Sequence, residues 1–296
     1  MNPERPDQSP ITSPRSERVR RIAALSGRSA RRKQGRLRVE GPQAVRSLLA
    51  ERPELALELF LTARAAEDHP ELARLAAEAG VPTREVDETI IRAMTREPGG
   101  AEGQDRPESG AAGAVSPQGA IAVARLPEES AGAALAAIAA LPAEGPLTAV
   151  VLHEVRDPGN VGTLLRTADA AGADLVLLTR TSADPYSPKA VRAAVGSTFH
   201  LPVIAGAEAP ALLDALAGRG ITAAATSGYA STDLFETELP ERIAWILGNE
   251  ARGLDEATLA AAPLAVRIPL AGHAESLNVH TAATVCLFET LRRRPR

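Results

Sequence analysis

The chain has 296 residues, of which 45% are hydrophobic and only 2% aromatic, and its formal net charge is −4. That length suggests two domains, each able to bury its own core, and the single cysteine, Cys286, excludes an intrachain disulfide and a thiolate-rich zinc site. The N-terminus lacks an apolar signal-peptide core and no apolar run reaches membrane-spanning length, so a cytoplasmic protein without a membrane partner is expected.

Residues 1–16 alternate prolines with Ser, Asp and Gln and read as a disordered tail. From Arg18 to Arg38 there are nine basic residues and no acidic one. Val19, Ile22 and Leu25 recur at helical spacing among them, which predicts a short basic helix ending near Gly27. A solvated charge run is the plain alternative. The missing acidic partners favour contact with a nucleic acid, with Arg32, Lys33, Arg36 and Arg38 as the contacting residues.

A small α/β domain over 17–126 follows the tail. Leu37–Val39 reads as a strand, Gln43–Ala50 as a helix, Leu57–Leu61 as a strand and Pro70–Ala79 as a helix. Pro82–Val86 is a third strand, Glu88–Met94 a short helix and Ala120–Ala124 a last strand. Residues 97–118 are rich in Gly, Pro, Ser and Glu and read as a flexible insertion. The Ala-rich stretch inside 127–146, bracketed by Pro127, Pro142 and Pro146, reads as a linker helix or hinge.

The second domain spans 147–296. Strands at Leu147–Leu152, Leu175–Leu178, Leu201–Ile204, Ile221–Ala225, Ile243–Leu247 and Leu264–Ile268 alternate with helices at Asn160–Ala171, Pro188–Val195 and Ala209–Ala217. An apolar-periodic helix over Leu277–Leu291 closes the chain. Alternation of this kind predicts a mostly parallel sheet covered on both faces, with ligands held by loops at the carboxyl ends of the strands.

Three polar segments stand out. In Asn160–Gly172, Asn160 is placed to cap a helix, and by spacing alone Arg166 is an ordinary surface arginine. In Leu247–Leu254, Glu250 follows a strand end in a Gly loop that a plain turn would explain, while Gly248, like Gly272 later, would let backbone approach a ligand. In Ile268–Ala282, Ser276 is the expected cap of the last helix, leaving Asn278 in its first turn without a structural reason to be Asn. The five histidines are dispersed without metal-ligand spacing, so no metal is expected. There is no dinucleotide fingerprint, no P-loop and no nucleophile elbow. Cys286, among Val285, Leu287 and Phe288, reads as a core residue.

Taken in order, Asn160-x-Gly-x-x-x-Arg166, Gly248-Asn-Glu-x-x-Gly253 and Ile268-Pro-x-x-Gly-x-x-x-Ser-Leu-Asn278 resemble the SpoU/TrmH-like branch of the SPOUT methyltransferases. The match covers roughly Leu147 to Arg293, and GRLRVEG at 35–41 is similar to the entry of that family's RNA-substrate-binding domain. The resemblance implies an α/β fold whose C-terminal segment forms a deep trefoil knot, a feature otherwise almost absent from proteins. It also implies S-adenosylmethionine as cofactor, held by Gly248, Ile268 and Leu277 with Leu247, Leu270 and Thr226 nearby, and a homodimer with its active site at the subunit interface.

The reaction implied is methylation of an RNA ribose 2′-hydroxyl, on ribosomal RNA in preference to transfer RNA. Arg166 would contact that hydroxyl, and Asn160, Glu250, Ser276 and Asn278 would hold Arg166 and the ribose. An arginine is protonated at any working pH, so an orienting and electrostatic role suits it better than that of a general base. His280 stands where the resemblance expects a small hydroxyl residue, and Leu270 where it expects Met. A knotted base methyltransferase, a transfer-RNA 2′-O-methyltransferase and a non-catalytic RNA-binding relative are the alternatives.

Overall fold

Short apolar runs become strands throughout the chain. The computed structural model describes residues 11, 13–96 and 118–294. Most of the expected tail, and the expected insertion apart from Gln118, lie outside the described residues. Two compact units divide between Leu126 and Pro127.

Unit 1 begins with α1 (Glu17–Ala23), which Ser16 caps by accepting from the Val19 N–H, and α2 (Arg28–Gln34), which ends on Gly35 at a left-handed φ of 60°. The sequence reading stopped at the first helix, because α2 has almost no apolar residue to mark its period. Then come β1 (Arg36–Glu40), α3 (Pro42–Glu51), β2 (Ala56–Leu61), α4 (Ala63–Asp68), α5 (Pro70–Glu78), β3 (Thr83–Glu85), α6 (Glu88–Thr95) and β4 (Ala120–Arg125). The sheet runs β1-β4-β2-β3; β4 is antiparallel to both its neighbours, and β3 is parallel to β2. Val19, Ile22 and Leu25 bury themselves against Phe60, Ile90, Ile91, Met94, Ile121 and Val123. In the basic run, Arg20, Arg21, Arg32, Lys33 and Arg36 therefore lie on the outer face of an amphipathic segment, while Arg31 is buried and donates to the carbonyls of Leu25 and Ser26.

Two expectations for that run change. Acidic partners exist, supplied from outside it: Arg18 pairs with Glu58, and Arg21 with Glu17. Arg38 is also not a surface residue. Its side chain is 1% exposed and pairs at 2.7 Å with Glu40, itself 3% exposed. The Arg38 guanidinium also donates to the carbonyls of Ile22, Ala23 and Met94. Its place within β1 turns it under α1 and α6, so it ties unit 1 together and cannot reach RNA. Arg32, Lys33 and Arg36 remain exposed.

Unit 2 opens with α7 (Ala131–Ala140), which corrects the expected linker over 127–146. Ala134, Ile138 and Leu141 are buried in the core of this unit beside Leu175, Leu212 and Leu216. Alanines allow close helix–sheet approach without building the bulky stripe that a sequence reading seeks. The order continues β5 (Leu147–Leu152), α8 (Pro158–Ala170), β6 (Leu175–Thr179), α9 (Pro188–Ala194), β7 (Val203–Ala207), α10 (Ala209–Gly218), β8 (Thr222–Thr226) and β9 (Thr232–Asp233). It ends with β10 (Arg242–Leu247), α11 (Glu256–Ala261), β11 (Leu264–Arg267) and α12 (Val279–Arg293). The expected strand at Leu201–Ile204 sits a few residues later, and β9 and α11 were too short to show a period.

The seven strands pair in the order β7-β6-β5-β10-β8-β11-β9, every pairing parallel. Alternate residues face opposite layers. Val150, Leu152, Trp245 and Leu247 pack with residues of α8, α9 and α12. Ala149, Val151, Ala244 and Ile246 pack with residues of α7 and α10. Cys286 is buried in the first of these layers, and burial pushes its thiol up to about 12.

The glycine of Asn160-x-Gly162 has a packing reason. A Cβ there would lie 2.3 Å from the Ala190 carbonyl oxygen and 2.6 Å from the Ala193 Cβ, so α8 and α9 touch nearly backbone to backbone. Gly162→Ala should force the helices apart and cost about 1–3 kcal/mol. Urea unfolding followed by the fluorescence of Trp245, the single tryptophan, measures it; an unchanged midpoint would show that the contact relaxes freely.

Candidate active site

Because every strand of unit 2 is parallel, all carboxyl ends share one edge. Ile246 pairs with Ala225, and Val266 with Thr226, so Leu247, Thr226 and Arg267 end side by side. The loops that begin at Gly248, Ser227 and Ile268 leave from adjacent positions. The crossover from β7 to β8 leaves a gap beside β5 that β10 fills. This reversal of strand order is where open α/β sheets place ligands.

Glu250 closes that crevice. Its carboxylate accepts from the N–H of Arg156 at 3.2 Å and of Asp157 at 3.1 Å, and from the Asn160 side-chain amide at 3.0 Å. Burial alone would raise its pKa, yet the Asn160 amide and these backbone N–H groups outweigh it and hold the carboxyl below its ordinary value. The negative charge also suits the N-terminus of α8. Asn249 secures the other side, donating to the Glu154 carbonyl at 2.9 Å and accepting from the N–H groups of Ala251 and Arg252.

Helix caps differ from the sequence reading. Asp157, not Asn160, caps α8: its carboxylate accepts from the Asn160 N–H at 3.0 Å, with Pro158 following at the first helical position. An Asp-Pro pair is a recognisable helix start. That frees the Asn160 side chain for Glu250. At α12 the cap is Asn278, which accepts from the His280 N–H at 2.9 Å, so Asn278 does have a structural reason and Ser276 is not the cap.

Among the five expected catalytic residues, only Asn160 and Glu250 are joined by a hydrogen bond. Arg166 lies on α8 and is exposed, and neither it nor exposed Ser276 makes a side-chain hydrogen bond among the described residues. Among the expected cofactor contacts, Leu247 is fully buried, so only its backbone faces the loops. The Thr226 hydroxyl donates to the Ile246 carbonyl at 3.2 Å. Ile268 and Leu277 are half-buried, and Leu270 is exposed. Gly248 is required by its own loop: a Cβ there would lie 2.4 Å from the Gly253 carbonyl carbon. Its missing side chain makes room for the turn, and its backbone N–H and carbonyl stay at the strand end. An adenosine-bearing sulfonium needs apolar cover and a few polar contacts for its base, which are the kinds of group that Ile268, Leu270 and Leu277 and the Gly248 backbone carry. Among the described residues no group of three or more His, Cys, Asp or Glu could hold a metal ion, and no helix is long and apolar enough to cross a membrane.

The SpoU rRNA Methylase family matches residues 148–288, and the RNA 2′-O ribose methyltransferase substrate-binding family matches residues 38–99. A 23S rRNA (guanosine-2′-O-)-methyltransferase RlmB of Pseudomonas putida is 30% identical over 261 residues, 87% of this chain and 96% of that one. The chain belongs to the SpoU rRNA methylase family. A second SpoU relative, a 23S rRNA (guanosine(2553)-2′-O)-methyltransferase RlmP of Bacillus subtilis, is 40% identical over 52% of this chain, and the aligned stretch spans 63% of that protein's length. The crystal structure of an AdoMet-bound rRNA methyltransferase from Sinorhizobium meliloti superposes with a TM-score of 0.77 at 27% identity, covering 97% of this chain and 99% of that one. The SpoU chain's departure at His280 is accommodated locally: its Nε2 lies 2.9 Å from the Thr167 hydroxyl and ties α12 to α8.

Beside the Glu250 loop, Asp255 caps α11 and meets His153 Nε2 at 2.8 Å. The Thr258 N–H holds its carboxyl down to about 2, aided by the Thr258 hydroxyl and His153 against the opposing effect of burial. A lowered folded value means that the ionised form stabilises the fold fully above about pH 5 and that this contribution fades as pH falls towards about 2. Asp255→Asn keeps a capping acceptor and removes the titration. Between pH 5 and about pH 2 its melting temperature should fall less than that of the wild type; parallel curves would show that Asp255 is not linked to folding.

Proposed function

We propose that this protein is an S-adenosylmethionine-dependent ribose 2′-O-methyltransferase acting on ribosomal RNA. The observation that carries the proposal is the Glu250 clasp on Asn160 and the start of α8, set where the β8, β10 and β11 loops converge. A relative aligned along nearly its whole length, and the RlmP relative that matches the C-terminal half, are both named for 23S ribosomal RNA, which supports that substrate over transfer RNA.

The cofactor supplies an electrophilic methyl group on a sulfonium. Gly248, Thr226 and Leu247 would offer backbone contacts to it, and Ile268, Leu270 and Leu277 apolar cover. Glu250 fixes the start of α8 and thereby the helix that carries Arg166. Arg166 orients the ribose and stabilises negative charge developing on its 2′-oxygen as the proton departs to water. Arg32, Lys33 and Arg36 contribute phosphate contacts from unit 1.

We also propose a homodimer. Phe288 and Leu291 stand exposed on α12, an apolar face that a second copy would cover. The chain path is compatible with a knotted C-terminus: β11 lies beyond β8, yet α12 returns to β10, where the Trp245 indole donates to the Thr290 hydroxyl at 3.0 Å.

The test is transfer of tritium from labelled S-adenosylmethionine to ribosomal RNA from a strain lacking the protein, with the label mapped by nuclease digestion. One 2′-O-methylated nucleotide is expected. A protein that fails to bind the cofactor would overturn the reading in favour of a non-catalytic RNA-binding relative.

A further inference from the structure

We propose that Tyr229 and Phe235 form a stacking platform for an unstacked base of the RNA substrate, next to the methyl-transfer centre. The inference rests on the reading of the protein as an RNA methyltransferase and adds residues that hold its substrate.

Aromatic side chains are scarce here: one Trp, two Tyr and four Phe. Trp245, Tyr186, Phe60 and Phe199 are buried. Of the other three, Phe288 lies on α12, whereas Tyr229 and Phe235 stand on loops at the carboxyl edge of the parallel sheet. Tyr229 is 101% exposed and Phe235 50%. Leaving such rings in water forgoes the burial that aromatic side chains ordinarily gain.

The loops that present them are fixed. Ser227 donates its N–H to the Val266 carbonyl at 3.0 Å, and its hydroxyl accepts from the Tyr229 N–H at 3.3 Å. A Cβ on Gly228 would stand 3.9 Å from the Glu275 carbonyl oxygen, so this loop lies against the Ile268–Asn278 loop. Leu234 is fully buried and donates its N–H to the Arg267 carbonyl at 3.0 Å, while the Phe235 N–H donates to the Asp233 carboxylate at 2.9 Å. β9 pairs parallel with β11, Arg267 opposite Asp233, so Phe235 emerges at the same edge as Tyr229.

Charge decides what the platform takes. Asp233 and exposed Glu236 flank Phe235 and disfavour a phosphate. A base presents a neutral π-face, and RNA readers stack splayed-out bases on Tyr and Phe. Pinned backbones carrying free rings limit the entropy lost on binding.

The test measures methyl transfer to ribosomal RNA from the strain lacking the protein, with RNA and cofactor varied separately. Tyr229→Ala and Phe235→Ala should each raise KM for RNA by about five- to a hundredfold, the range one base stack supplies. The rate at saturating RNA and the Kd for S-adenosylmethionine should stay near the wild type. Tyr229→Phe, which keeps the ring, should restore KM. Unchanged KM in both alanine variants would overturn the platform, as would a weakened cofactor Kd, which would assign the rings to the cofactor. Wild-type protein that transfers no methyl would instead defeat the functional reading beneath it.

Discussion

Arg166→Ala should lower kcat by about 10²- to 10³-fold, the loss expected when one preorganised donor to a developing oxyanion is removed, and should leave the Kd for S-adenosylmethionine unchanged. Three observations converge on this residue. It occupies the Arg of Asn-x-Gly-x-x-x-Arg in a chain of the SpoU rRNA methylase family. It rides on a helix whose first turn is clasped by Glu250 and whose flank is pressed against α9 at Gly162. It has no hydrogen-bond partner of its own among the described residues, so its donors are available for a substrate. Arg166→Lys keeps the charge and loses the planar fork, so its rate should lie between those of the wild type and the alanine variant. Single-turnover rates at saturating RNA and cofactor make the measurement, and equal rates for Arg166→Ala and wild type would remove Arg166 from the mechanism.

Arg38→Ala should destabilise unit 1 by about 3–5 kcal/mol, because it breaks the buried ion pair with Glu40 and removes the donor to the Ile22, Ala23 and Met94 carbonyls. Both side chains are at most 3% exposed, so water cannot take over the missing partner. Joint replacement by Arg38→Met and Glu40→Leu should recover part of the loss, since it removes both buried charges together, while the carbonyls of Ile22, Ala23 and Met94 still lack the Arg38 donors. Urea unfolding followed by far-UV circular dichroism reads the change. Trp245 reports unit 2 separately, so loss of signal at lower urea without an earlier tryptophan transition locates the effect in unit 1. An unshifted curve for Arg38→Ala would show that the pair contributes nothing to stability.

Sequence carried the layout of unit 2 far better than its joints. Runs such as LTAVVL at Leu147–Leu152 and IAWIL at Ile243–Leu247 read as buried strands, because they are short, largely apolar on both faces and bounded by Gly or Pro loops. Asn160, Glu250 and Asn278 stand out only as members of three ordered segments, because a helix cap or a plain turn accounts for each of them singly. What escaped depended on contacts between distant segments. Arg38 looked like any other member of a basic run, because burial under α1 and α6 is a tertiary fact. The Ala-rich α7 looked like a hinge, because alanine packs tightly without announcing which face does so. The caps Asp157 and Asn278 lie three and two residues from the candidates Asn160 and Ser276: at each helix start several Asp, Asn or Ser stand close together, and only the backbone decides which one accepts from a free N–H.

β10 is the seam of the large sheet. The strands β7, β6 and β5 lie on one side of it, and β8, β11 and β9 on the other. A chain growing from its N-terminus therefore completes β5 and β8 well before the segment that must lie between them. Until Arg242–Leu247 inserts, both halves expose unpaired strand edges, and the pairing that joins them spans almost a hundred residues of sequence. Contacts of that range slow folding, and open edges invite association with other chains. Glu250 lies three residues past the end of β10, so its grip on α8 cannot form before the seam closes. The loops proposed to hold the methyl donor come together only in a chain that has finished folding, which makes cofactor affinity a direct assay of correctly assembled protein.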